Sequence, residues 1–120
     1  MNNRIRIFFT RVIMQIIMGS VFCTSKMRRK TLIMLGAKIG KGTFIGRNVY
    51  FDPLAIQNIS VGDNCIITQN VSILTHFYSL RREFYFGNVN IGDNTFIGMN
   101  SLICKPVYIG NNCIVGGAVS

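Results

Sequence analysis

Tryptophan is missing from this chain, proline occurs twice, histidine once, and only four of the 120 residues are acidic. A single histidine excludes a multi-histidine metal centre, and four cysteines at 23, 65, 104 and 113 without a CxxC pair suggest neither a zinc site nor a disulfide framework. Reduced thiols in a cytoplasm are the simpler reading. No apolar run crosses a bilayer comfortably: the stretch from Val12 to Cys23 holds Gln15, follows Arg11 and falls short of the roughly 20 residues that a span takes. Arg11 also splits any signal-peptide core, and no small-x-small cleavage pattern follows it. With 49% hydrophobic and 14% charged residues, the composition is that of one folded domain and not of a disordered chain.

Charge is unevenly placed. Thirteen Lys and Arg against four Asp and Glu give +9, and eight of the thirteen (Arg4, Arg6, Arg11, Lys26, Arg28, Arg29, Lys30, Lys38) precede residue 39, where there is no acid. These bases accompany no nucleic-acid reading motif or stacking platform, so nucleic acid is not expected as a partner.

From residue 39 onward an aliphatic or aromatic residue recurs every six positions: Ile39, Ile45, Phe51, then Val61, Ile67, Ile73, then Ile91, Ile97, Ile103, Ile109, Val115. Gly follows it in seven of the eleven hexads, and the fifth position is small in all but one (Phe77). Six hexads place Asn fourth (Asn48, Asn64, Asn70, Asn94, Asn100, Asn112), the non-glycine residue best suited to a left-handed corner. Each hexad predicts a short strand and a corner, and three predict one triangular turn. The fold class is an all-β solenoid, a parallel β-helix; helical spacing of three and four, or alternation of two, does not match a strict six. Nearly four turns at about 4.8 Å make a prism of roughly 18 Å.

The period breaks twice. Four extra residues near Ala55 to Ser60 predict a corner bulge, and the segment from about 76 to 88, rich in Phe, Tyr and Arg, predicts a protruding loop. Residues 1–38 read as a basic, apolar helical segment ahead of a coil over 39–120. Its first helix is apolar nearly all round, with Arg4, Arg11, Gln15, Gly19 and Lys26 on one narrow stripe. A second, Ser25 to Leu35, starts at a Thr24 or Ser25 cap and ends at Gly36. The two are expected to cover the first turn, whose strand edges would otherwise lie open. A second reading sets Phe8, Phe9, Ile13 and Ile16 in a membrane interface, with Arg4, Arg11, Arg28, Arg29 and Lys30 against anionic lipid.

The hexads, the segment LGAKIGKGTFIGRNVYFDP, the run VGDNCIITQNVSILTH and the later VNIGDNTFIG resemble the hexapeptide-repeat acyltransferases, above all the maltose and galactoside O-acetyltransferases and the capsule or exopolysaccharide acetyltransferases. The resemblance covers about residues 30 to 120. It implies a left-handed β-helix, an exception to the right-handed crossover rule, in a homotrimer with sites between adjacent subunits. It implies transfer of an acetyl group from acetyl-CoA, without a metal, to a hydroxyl of a sugar or surface-polysaccharide precursor; the cysteine usage places this in the cytoplasm, and the basic apolar N-terminal segment allows a peripheral place at the inner face of the membrane. His76 matches the family's catalytic histidine, and the chemistry suits it: an alcohol is a poor nucleophile, and an imidazole with a pKa near 6.5 can take its proton.

By the same resemblance, Phe96, Gly98, Met99, Gly117 and Ala118 match positions along which the family lays the pantetheine arm. Asp52 matches an acceptor-side position, and Tyr78, Arg81, Arg82 and Tyr85 lie on the loop arching over the site. Phe96 stands where many relatives have Trp, Met99 where Ser is common, and Lys105-Pro106 where the family writes Pro-Gly. The chain ends at Ser120, inside a hexad that runs on in relatives, so a donor-phosphate contact and an end cap are expected to be missing. An N-acetyltransferase of an amino-sugar nucleotide, a serine O-acetyltransferase-like enzyme and a catalytically silent scaffold are the alternatives. A carbonic-anhydrase-like β-helix needs three histidines and is set aside.

Overall fold

The Thr24 hydroxyl accepts a hydrogen bond from the Met27 amide at 3.3 Å and caps helix α2 (Ser25–Leu35). Gly36, at φ 124°, ends that helix, with its amide returning to the Ile33 carbonyl and that of Ala37 to the Leu32 carbonyl. The computed structural model describes residues 3–78, 80–104 and 107–116. Ahead of α2 runs helix α1 (Asn3–Gly19), which stops before Lys26, so Lys26 belongs to α2 and not to the α1 polar stripe.

The coil follows the hexads. Strands β1 (Lys38–Ile39), β2 (Phe44–Ile45) and β3 (Tyr50–Phe51) make the first turn; β4 (Ile59–Val61), β5 (Ile66–Ile67) and β6 (Ser72–Ile73) make the second. After an antiparallel hairpin, β7 (His76–Tyr78) and β8 (Phe84–Phe86), strands β9 (Val89–Ile91), β10 (Phe96–Ile97) and β11 (Leu102–Ile103) make the third, and β12 (Val107–Ile109) and β13 (Ile114–Val115) continue into a fourth. Corresponding strands pair in parallel into three sheets, β1-β4-β9-β12, β2-β5-β10-β13 and β3-β6-β11. Register stacks Ile39 on Val61, Ile91 and Ile109, and Ile45 on Ile67, Ile97 and Val115. Phe51 stacks on Ile73 and Ile103. Nine of these eleven are buried, and Ile109 and Val115 pack against them partly buried. The six Asn corners all adopt φ between 55° and 62°. Between β3 and β4 the insertion holds a single three-residue 3-10 turn, Ile56–Asn58.

The recurrent glycine has a steric cause. A Cβ built on Gly62 would lie 2.8 Å from the Gly92 carbonyl carbon and 2.9 Å from the Asp93 amide, both backbone atoms of the next turn. Gly62→Ala is therefore expected to destabilise the coil by about 1–3 kcal/mol. In Gly19→Ala the nearest atom is a side-chain oxygen at 3.4 Å, and Tm should hardly move; thermal melts of the two variants check the contrast.

The helices close the top of the prism strand by strand. Arg29 donates from Nε to the Gly40 carbonyl at 2.8 Å, at the end of β1. The buried Arg28 donates from Nε to the Ile45 carbonyl at 2.9 Å, while the Ile45 amide donates to Ser25 Oγ at 2.8 Å, so both sides of β2 are met. Beside β3, the Asn48 amide donates to the Met18 carbonyl of α1 at 2.9 Å. Arg28 and Arg29 are thus engaged by the coil, which corrects their expected place against lipid: the strand carbonyls at the first turn need donors, and buried carbonyls left without them are costly. The helix α1 also differs from a helix buried all round. Among its described side chains only Thr10, Met14 and Met18 are buried, Ile17 packs partly buried against the core, and Ile5, Phe8, Phe9, Ile13 and Ile16 point outward.

Candidate active site

The second turn of the coil delivers Thr75 and His76 from the end of β6, and the first turn delivers Asp52 from the end of β3, one turn away in register. Asp52 fills a slot that is glycine in seven hexads, and its side chain is completely buried. Each of its oxygens is occupied. Oδ1 accepts from the Leu54 amide at 3.0 Å; Oδ2 accepts from the Thr75 amide at 2.9 Å and the Thr75 hydroxyl at 3.1 Å, and is hydrogen-bonded to His76 Nδ1. Burial alone would raise the Asp52 pKa, but the Thr75 and Leu54 amides and the His76 ring outweigh it and hold the carboxyl below its ordinary value. Asp52 is therefore ionised throughout the neutral range.

A carboxylate at Nδ1 fixes the imidazole. In a neutral ring that contact favours the tautomer with the proton on Nδ1, facing Asp52, and the lone pair on Nε2. The His76 ring also stacks on Phe84, with centroids 5.4 Å apart and planes 27° apart. About a quarter of the side chain stays accessible. It opens on a cleft of about 220 Å³ lined by Ile7 and Arg11 of α1 and by Tyr50, Asp52, Pro53 and Leu54. Burial, and then the nearby Asp52 charge, raise the Tyr50 pKa against the opposing pull of Arg11. Arg11 and Tyr50 also line a neighbouring cleft of about 160 Å³ between α1 and the Asn48 corner.

The expected protruding loop is an antiparallel hairpin, pairing His76 with Phe86, Phe77 with Tyr85 and Tyr78 with Phe84. Alternation along the strands puts His76, Tyr78, Phe84 and Phe86 on one face and Phe77 and Tyr85 on the other. The rings agree: Phe84 meets Tyr78 and Phe86 edge-on, and Phe77 stacks on Tyr85 at 5.4 Å. Of the expected acceptor-side residues, Tyr78 therefore shares the His76 face and Tyr85 occupies the reverse. Arg81 and Arg82 sit in the exposed connection, Arg82 at φ 61°. Asp52 lines the His76 cleft, with its carboxylate hydrogen-bonded to Thr75, Leu54 and His76.

Among the expected donor-side residues, Phe96 and Met99 are exposed on the outside of the coil, and the Gly98 amide donates to the Val115 carbonyl at 2.8 Å. None of the three lines the His76 cleft. Gly117 and Ala118 lie outside the described residues. Reading the sequence did not single out Thr75, the Phe84 ring or the Ile7 and Arg11 wall; an acid in a glycine slot was the available signal for the Asp52 pairing.

Residues 36–75 match the hexapeptide repeat of succinyl-transferase, and residues 88–119 match the bacterial transferase hexapeptide (six repeats). Together these cover more than half of the chain, which belongs to the hexapeptide-repeat acyltransferases, proteins built on a left-handed parallel β-helix. It is 42% identical over 81 residues to the acetyltransferase homologue YvoF of Bacillus subtilis (strain 168), an alignment covering 68% of this chain and 46% of YvoF. It is 34% identical over 87 residues to the galactoside O-acetyltransferase of Escherichia coli (strain K12), covering 64% of this chain and 43% of that enzyme. The crystal structure of a maltose O-acetyltransferase from Clostridium difficile 630 superposes with a TM-score of 0.67 at 20% identity, over 96% of this chain and 74% of that one. The chain spans less than half the length of these curated relatives.

Proposed function

We propose that the protein transfers an acetyl group from acetyl-CoA to a hydroxyl of a sugar or surface-polysaccharide precursor, with His76 as general base. The observation that carries this reading is the His76 ring held between buried Asp52 and Phe84 at the mouth of a cleft. Nε2 takes the proton of the acceptor hydroxyl as its oxygen attacks the thioester carbonyl. The tetrahedral intermediate then collapses, the C–S bond breaks, and the proton passes from the imidazolium to the leaving thiolate, giving the acetyl ester and free CoA thiol. Asp52 is the positioning residue: it fixes the tautomer and stabilises the imidazolium that forms in between. General-base help of this kind is worth about 10²- to 10⁴-fold in rate.

Placement of the donor residues away from the His76 cleft supports a homotrimer, in which the outer face bearing Phe96 and Met99 meets the His76 cleft of a neighbouring subunit. Four unpaired cysteines suit a reducing cytoplasm, where acetyl-CoA would be drawn. The similarity to a galactoside O-acetyltransferase favours a sugar hydroxyl over an amine.

The test is thiol release from acetyl-CoA against a panel of sugars, nucleotide sugars, amino sugars and serine. Acceptor-dependent release with a sugar bearing no free amine is expected. Release only with amino sugars would make the protein an N-acetyltransferase, and no release with any acceptor would leave a non-catalytic coil.

A further inference from the structure

We propose that α1 is an interfacial helix that seats the protein on an anionic lipid surface. Its outward side carries Ile5, Phe8, Phe9, Ile13 and Ile16, exposed by 47%, 62%, 52%, 40% and 63%, on a helix whose buried side is Thr10, Met14 and Met18. At about 100° per residue, Ile5, Phe9 and Ile16 fall within about 40° of one another and opposite Met14 and Met18. Arginines border the stripe on both flanks, Arg6 on one and Arg4 on the other. That is the pattern of a helix lying in the headgroup region, with apolar side chains dipping inward and long basic side chains reaching out to phosphates. No helix among the described residues is long and apolar enough to cross a membrane, and α1, with 17 residues, would lie along the surface instead.

Charge distinguishes this occupant from a second copy of the chain. The first acid of the sequence is Asp52, so α1 and α2 have only positive charge to offer. The chain's own acids are engaged elsewhere. Asp52 is buried against His76; Asp63 and Asp93 accept the Lys41 and Asp63 amides at 2.8 Å along one corner of the coil; Glu83 holds the Tyr85 hydroxyl. A two-fold self-contact through α1 would bring arginines against arginines, whereas an anionic bilayer supplies negative charge and apolar depth together. Ile7, which falls between Met14 and Met18 on the helical wheel, and Arg11 line the His76 cleft from the side of α1 opposite the stripe, so seating the helix leaves that cleft open to the aqueous side.

Sedimentation with vesicles needs no substrate, so its result is independent of whether His76 catalyses acetyl transfer. The intact chain is expected to pellet with phosphatidylglycerol-containing vesicles in low salt, at least about 10-fold more strongly than with phosphatidylcholine alone, and to be released by about 0.5 M salt. The double variant Phe9→Glu, Ile16→Glu should lose that binding by at least about 10-fold with an unchanged melting curve. Arg6→Glu, which leaves the apolar stripe intact, should weaken it several-fold and serves if the double variant misfolds. Absence of binding to anionic vesicles, or equal binding by folded variants and the parent chain, overturns the proposal. A change of oligomeric state in the variants without lipid binding in the parent would assign the stripe to a contact between copies.

Discussion

Replacing His76 with alanine is expected to lower kcat/KM for acetyl transfer by at least about 10²-fold while leaving the melting temperature within a few degrees. The ring makes one hydrogen bond to the core and one stacking contact to an exposed hairpin, and its own strand β7 lies outside the three stacked sheets. Removing it takes away the base and little packing. Asp52→Asn should reproduce much of the loss by a different route, because an amide can donate to Nδ1 and so turn the lone pair away from the acceptor. Its thermal stability should also fall, since Asp52 accepts from two backbone amides and the Thr75 hydroxyl in the interior. The double variant should be scarcely slower than His76→Ala, as expected for residues acting as a unit. Steady-state thiol release for the three variants, set beside their melting curves, decides it: full activity in a folded His76→Ala protein would remove the general-base assignment.

Ile97→Asp is expected to unfold the chain. Ile97 is completely buried and stacks between Ile67 and Val115, where no cation is at hand to pair a carboxylate among the stacked side chains. Burial of an unpaired charge costs several kcal/mol, against a total stability of about 5–15 kcal/mol for a domain. Tyr108→Asp provides the comparison. Tyr108 is 75% exposed, one position from the inward Ile109, and an aspartate there should leave the circular dichroism spectrum and Tm nearly unchanged. Equal tolerance of both substitutions would contradict the inward and outward assignment of the hexad.

The stacked core was legible in the sequence because every turn repeats the same solution: Ile67, Ile97 and their counterparts at one position of the hexad, small residues at another, Asn at the corners. Six asparagines at positive φ follow directly from that repetition. The acid in a glycine slot marked Asp52 but not its partner, because the pairing with His76 joins two hexads across the bulge near residues 55–60, and register across a bulge cannot be counted in sixes. The hairpin is hidden for a related reason: Phe77, Tyr78, Phe84, Tyr85 and Phe86 favour strands, but they stand outside the hexad period, and no repeat marks which of them pair. In α1 the composition could not say which side faces the coil. Met14 and Met18 are chosen by the shape of the first turn, and nothing local distinguishes them from Ile13 and Ile16.

The three-sheet register has a consequence for which lengths of insertion the molecule tolerates. A triangular coil behaves like a screw thread with three stations per revolution. Adding or removing eighteen residues advances a whole revolution and restores every downstream side chain to its own face. Six residues would carry each one to the neighbouring face, and with them the carboxylate and imidazole that must meet across adjacent turns. The 3-10 turn at Ile56–Asn58 and the hairpin after β6 escape this rule because each leaves and re-enters at a corner, as a flange does on a shaft, without turning the thread. Corners are thus where this architecture can change the shape of its clefts freely, and strands are where it cannot.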